Sequence, residues 1–282
     1  MASSRLLITA GTKHGALLLG DAEAREFRAL AEGNFRGLCV SGTEAFAVTA
    51  DGALYRVDPG RAKAEQIAEL GWRECHDVRR IGEHFFLMAT EANTIVRYDL
   101  AWREVDRWQL FPREEDVLHV NSIAADEEGL LVSLFCLTPG TRAEKRLDRV
   151  WKQDGRIVRL DWATGRWHPI SQPLGQPHSL TAADGRVLLC NSFHREVSEV
   201  DRATGRVRRL AATPGWCRGI TWRAGPTGGE WLVGISANRR RKLRWQGRRG
   251  QVAAFAADWR PLWHVPAPAA EIYDLVVVSG EW

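Results

Sequence analysis

The sequence predicts an all-β protein, a single six-bladed β-propeller of four-stranded antiparallel blades, on three observations. Short apolar runs rich in Val, Leu, Ile and Phe alternate with Gly, Asp and Asn turns along the whole chain, and no segment of helical period is long enough to build a parallel α/β sheet. One strand type recurs, ending at Asp58, Asp99, Asp161 and Asp201, with weaker copies ending at Asp21 and Asp258. The first runs, 6–9 and 16–21, supply the partners that the last run, 273–278, lacks. The N- and C-terminal strands are therefore expected to share one blade, which closes the ring and removes an exposed sheet edge.

Each recurring strand is followed by a polar turn and another strand, at 63–69, 105–111, 167–171 and 207–212, and these form the outer half of a blade. Two more apolar runs lie upstream of each copy and form the inner half. The clearest pair spans 178–191 and turns at Asp184-Gly185, a hairpin dipeptide. Aligning the innermost strands by their first residues selects Arg36, His76, Asn121, His178, Arg218 and Tyr273, spaced by roughly one sixth of the chain. The 13 tryptophans are expected to fill the wedges between twisted blades.

An apolar content of 45% is enough for a substantial core, so disorder is excluded. With 39 basic and 35 acidic residues the net charge is only +4, which gives no general drive toward nucleic acid. The N-terminal apolar run is too short for a signal peptide, and no stretch approaches the roughly 20 apolar residues of a membrane span, so a cytoplasmic location is expected. The cysteines Cys39, Cys75, Cys136, Cys190 and Cys217 are odd in number and lack CxxC spacing. They read as buried thiols rather than as a disulfide framework or zinc ribbon.

In such a fold the six aligned residues converge on one mouth of the central channel, together with the ends of the second strands. Those ends carry Lys13, Glu91, Asn191, His194, Asn238 and Arg239, and His119 precedes Asn121 by two residues. Polar residues there could merely be hydrated, but hydration alone predicts Ser and Thr rather than two arginines and two histidines. Around the ring an Arg218, Tyr273, Arg36 arc opposes a His76, Asn121, His178 arc. The first suits a carboxylate, sulfate or phosphate, because a guanidinium offers a planar fork and keeps its charge when desolvated. The second suits acid and base chemistry, with Tyr273 as a further catalytic candidate.

The leading expectation is therefore an enzyme of hydrolase, lyase or cyclase type acting on a small anionic or peptide-like substrate, with no cofactor required by the sequence. A divalent metal held by His76, His119 and His178 is an alternative. A second alternative is a scaffold that binds an acidic partner protein. Two basic segments, 138–153 and 239–250, are candidate lids or partner sites. Few aromatics accompany them, which argues against single-stranded nucleic acid. Asp77 and Asp274, each one residue past an aligned position, are expected to hydrogen-bond a neighbouring blade.

Four segments carry a family resemblance: Cys75-His76-Asp77-Val78, His119-Val120-Asn121-Ser122, Pro177-His178-Ser179-Leu180 and Trp216-Cys217-Arg218-Gly219. They resemble motifs of a bacterial six-bladed propeller family catalogued as a domain of unknown function, which implies the fold and the ring but no reaction. A more distant likeness is to lactonase and strictosidine-synthase-like propellers. A calcium site of the lactonase type would need carboxylate ligands, and Arg36 and Arg218 would repel the ion.

Overall fold

A computed structural model describes residues 5–12, 14–21, 25–112, 115–137, 153–183, 186–225, 228–237 and 249–278. The described residues form 24 strands in six four-stranded antiparallel sheets, the fold class of a six-bladed β-propeller. The chain divides into two compact units, Met1–Leu70 with Ala211–Trp282 and Gly71–Leu210.

Unit 1 holds three sheets. One comprises β4 (Phe35–Ser41), β5 (Glu44–Thr49), β6 (Ala53–Asp58) and β7 (Lys63–Glu69). Another comprises β20 (Trp216–Arg223), β21 (Glu230–Ser236), β22 (Gln251–Ala256) and β23 (Pro261–Pro266). The third joins both ends of the chain, in the order β24 (Ile272–Val278), β1 (Arg5–Ala10), β2 (Ala16–Asp21) and β3 (Glu26–Glu32). The shared blade inferred from sequence is thus present, with Leu6 to Thr9 of β1 paired to Val277 to Asp274 of β24.

Unit 2 also holds three sheets. The first comprises β8 (Cys75–Ile81), β9 (His84–Ala89), β10 (Thr94–Tyr98) and β11 (Glu104–Gln109). The second comprises β12 (Val120–Asp126), β13 (Gly129–Leu134), β14 (Arg156–Leu160) and β15 (Trp167–Pro169). The third comprises β16 (Pro177–Ala183), β17 (Arg186–Asn191), β18 (Glu196–Asp201) and β19 (Val207–Ala212). Each innermost strand starts one or two residues before the aligned position, because Phe35, Cys75, Val120, Pro177 and Trp216 already pair with the second strand.

The inner strands read as unbroken apolar runs because both faces of each sheet are covered. In β1, Leu6 and Ile8 join one core cluster with Leu232, Val252 and Ile272, while Leu7 joins another with Leu38, Ala47 and Val57. Strand alternation thereby makes one sheet the wall of two cores. In unit 2 the corresponding cores centre on Phe86, Met88, Ile123 and Val132, and on Leu131, Leu180 and Leu189. All five cysteines are buried and none forms a disulfide.

The expectation for the tryptophans needs correction. Among the described residues only Trp108 is buried, and aliphatic side chains fill the cores. The others lie half-buried or exposed, on turns, on outer strands and, for Trp216, Trp222 and Trp231, on β20 and β21. Several stack on phenylalanine or on one another, as Trp102 does on Phe85 and Trp259 on Trp231. Trp108 donates to the Trp162 carbonyl at 3.0 Å.

The recurring Asp ends are turn devices. Asp99 accepts from the Ala101 and Arg103 N–H groups at 2.9 Å each, and Asp161 and Asp201 accept from their own turns in the same way. These bonds hold all three carboxyls below their ordinary value of 3.8: first the Arg103 N–H for Asp99, the Thr164 hydroxyl for Asp161 and the Thr204 N–H for Asp201. Asp126 is also lowered, since burial pushes it up but Arg159, the Glu128 N–H and Arg202 outweigh that. A carboxyl lowered in the folded state contributes stability that is present above the unfolded value and lost as pH falls through the folded one. The melting temperature should therefore hold down to about pH 4 and drop below it. Replacing Asp99, Asp161 and Asp201 together by Asn should flatten that drop in a thermal melt series.

Candidate functional site

A β-bulge interrupts every innermost strand at the aligned residue or immediately after it. Arg36 and Tyr273 are skipped in their ladders, His76 with Asp77 and Asn121 with Ser122 span the irregular steps of theirs, and the breaks follow His178 and Arg218 directly. Ser179 and Gly219, at φ 56° and 71°, take the left-handed conformation that such a break requires. A bulge re-aims a side chain and leaves a backbone N–H outside the ladder. In unit 2 neighbouring sheets supply the missing acceptors: Asp77 Oδ2 takes the Ile123 N–H at 3.1 Å and Ser122 Oγ takes the Leu180 N–H at 3.3 Å. Asp274 accepts from the next N–H of its own strand, Leu275, at 2.9 Å.

Hydroxyls complete the stitching. Thr9 donates to the Arg36 carbonyl at 2.6 Å, Ser236 to the Ile272 carbonyl at 3.0 Å and Thr90 to the Val120 carbonyl at 2.5 Å. The aligned residues therefore stand on rigid backbone.

Unit 1 brings together Arg36, Arg218 and Tyr273. Both guanidiniums stack on the Tyr273 ring, with Cζ to centroid distances of 5.2 Å for Arg36 and 4.1 Å for Arg218. The arginines are buried, at 8% and 4% exposure, and the phenol is half-buried. Glu271 lies 3.7 Å from Arg218 Nη1 and is itself buried. Gly11 leaves room for the phenol: a Cβ there would come within 2.2 Å of the Tyr273 ring and 3.1 Å of Asn34 Oδ1.

Unit 2 aligns His76, His119, Phe135 and His178 in a row of rings. His76 and His119 meet edge-on at 4.7 Å, His119 lies 4.2 Å from Phe135, and Phe135 meets His178 at 4.9 Å. Phe135 stands between two of the three histidines named as metal ligands. Among the described residues no group of three His, Cys, Asp or Glu side chains is placed to hold a metal ion, so the His76, His119, His178 triad is not assembled.

Each imidazole of the row has a polar neighbour at Nδ1. The His76 Nδ1 lies 2.8 Å from the Glu74 carbonyl, and the His178 Nδ1 lies 2.9 Å from the Gln176 carbonyl and 2.7 Å from Ser192 Oγ. A carbonyl only accepts, so in a neutral His76 Nδ1 carries the hydrogen and Nε2 the lone pair, whereas the Ser192 hydroxyl can either accept from His178 Nδ1 or donate to it. The His119 Nδ1 donates to Asp116 Oδ2 at 2.7 Å, which imposes the same tautomer through a carboxylate.

Other sequence candidates are used differently. Asn191 accepts from the Gly175 N–H at 2.7 Å and donates to Glu196 at 2.8 Å, so both ends of its amide brace a turn rather than present a substrate contact. His194 is exposed and packs beside Phe193 and Gly175. Glu91 lines a cavity of about 450 Å³ with Trp72, Arg73 and Arg107, away from the aligned residues. Lys13, Asn238 and Arg239 lie outside the described residues, as do most of the basic segments 138–153 and 239–250.

Sequence reasoning missed Glu271, Asp116 and Phe135. A signal existed for Glu271: the residues two before the aligned positions are Asn34, Glu74, His119, Gln176, Trp216 and Glu271, a second polar tier that strand periodicity could have nominated. Asp116 belongs to a loop and Phe135 follows a second strand, and neither is marked by that period.

No protein-family model and no curated protein matches the chain. The resemblance to a family of unknown function accordingly gains no support. Among solved structures, a chain from the crystal structure of a nidogen/laminin complex matches with a TM-score of 0.70 and 12% identity, covering 99% of this chain and 100% of that one. That likeness supports the propeller fold alone.

Proposed function

We propose that the protein handles small anionic molecules, with Arg36, Arg218 and Tyr273 of unit 1 holding a carboxylate, sulfate or phosphate group. The observation that carries this reading is the stacking of two buried guanidiniums on one phenol. A guanidinium placed over an aromatic ring keeps its charge, and its planar N–H donors can engage an anion by a fork of two hydrogen bonds. Gly11, with no Cβ, leaves the space that the phenol occupies. Unit 2 carries a second chemistry, proton transfer by histidine, supported by the buried His119–Asp116 pair, and this makes an enzyme of hydrolase, lyase or cyclase type the favoured class.

Calorimetric titration with inorganic phosphate, sulfate and acetate at low salt tests the anion assignment. Wild-type protein should bind at least one of them, and Arg36→Ala should weaken binding tenfold or more, about 1.4 kcal/mol. Arg36→Lys should restore only part of it, because charge returns without the fork. Equal binding by wild type and Arg36→Ala would sink the reading. The competing reading is a scaffold for a partner protein. That reading gains if no anion binds and a partner copurifies.

A further inference from the structure

We propose that His119 is the proton acceptor of unit 2, oriented by Asp116 and served by Asn121 as a hydrogen-bond donor to a carbonyl-bearing ligand; this rests on the reading that unit 2 transfers protons. The observation that singles out His119 is the carboxylate on its Nδ1, Asp116 Oδ2 at 2.7 Å. A carboxylate there brings a full opposite charge to the imidazolium that forms when Nε2 takes a proton. Both side chains of the pair are buried, at 6% for His119 and 9% for Asp116, where that charge is least screened.

The pair is also pre-positioned. Asn93, itself wholly buried, grips the intervening loop by accepting from the Val117 and Leu118 N–H groups at 3.0 and 2.8 Å and donating to the Glu115 carbonyl at 2.5 Å. The Phe135 N–H donates to the Leu118 carbonyl at 3.0 Å from the other side. Asp116 and His119 are thus clamped between two strand ends rather than carried on a loose connection.

Asn121 provides an independent observation. It is 3% exposed, and its Nδ2 makes no hydrogen bond to any of the described residues. A buried amide donor without an acceptor is costly in a folded protein, and a ligand oxygen removes that cost. A carbonyl oxygen is the matching acceptor. The proton taken by His119 Nε2 leaves its bonding pair on the ligand, and the carbonyl oxygen held by Asn121 receives the developing negative charge. Asp116 is the positioning residue, because it acts on the ligand only through His119.

Long-range ¹H–¹⁵N NMR of the full chain labelled in histidine and asparagine tests this, with N-methylacetamide as the carbonyl probe. His119 should show hydrogen on Nδ1 and a lone pair on Nε2. Asp116→Asn should redistribute the tautomers and Asp116→Glu should restore the wild-type pattern. The probe should shift the Asn121 amide and His119 Nε2 signals, and do so equally in Arg36→Ala protein. An Nε2–H tautomer in the wild type overturns the proposal, as does an Asn121 signal that ignores the probe. If the probe moves His76 or His178 but not His119, proton transfer by unit 2 survives and this assignment fails; if no imidazole responds, both fail.

Discussion

Replacing Arg218 by alanine is expected to cost about 3–5 kcal/mol of folding stability, on top of any loss of anion binding. Sequence alone casts Arg218 as a pure ligand contact that could be removed without harm. The structure places it at 4% exposure beside Glu271, so its removal strands a buried carboxylate without its counter-charge. Arg218→Ala should therefore shift the urea midpoint far more than Arg36→Ala. Adding Glu271→Gln to Arg218→Ala should recover a large part of that shift, because the stranded charge disappears. A double variant no more stable than the single one would show that the pair contributes little, and that lost stacking on Tyr273 accounts for the cost.

Asn93→Ala should have a comparable effect in unit 2. The substitution leaves the Val117 and Leu118 N–H groups buried without their acceptor and releases the Glu115 carbonyl. Each unsatisfied buried donor costs about 1–3 kcal/mol, so a total near 2–5 kcal/mol is expected by chemical denaturation. Asn93→Asp keeps an acceptor for both N–H groups and should cost clearly less. The same variants separate stability from site geometry. If the loop is the frame of the Asp116–His119 pair, Asn93→Ala should weaken the downfield Nδ1–H resonance of His119 under conditions where the protein remains folded.

The fold was legible because its signals are local. A strand of five or six apolar residues, an Asp that caps the following turn, and a second strand of matching length recur often enough for the number of blades and the closure by β24 and β1 to be read directly. The identity of the aligned residues was legible for the same reason, since each stands near the start of a recurring strand. Their environment was not. A bulge is a property of two paired strands, and nothing in the chain near Asn121 announces that Val120 pairs with Leu134 and Ile123 with Val132. Glu271 and Arg218 meet from different sheets, so their pairing is invisible until β20 and β24 are packed. For the metal alternative, no group of three His, Cys, Asp or Glu side chains is placed to hold an ion among the described residues, and Phe135 occupies space between His119 and His178. The tryptophans were assigned by volume alone, and the cores are filled instead by smaller aliphatic side chains.

The pairing of β24 with β1 also sets an order of events during synthesis. Unit 2 is one continuous stretch, Gly71–Leu210, and Glu74, Asp116, Phe135, Gln176 and Ser192, which contact His76, His119 and His178, leave the ribosome within it. Unit 1 is split, and its first sheet lacks its innermost strand until the last described residues emerge. Arg36 is made early but meets Arg218 and Tyr273 only when β20 and then β24 arrive. A nascent chain stalled before β24 can therefore hold a finished histidine row while the anion cradle does not yet exist.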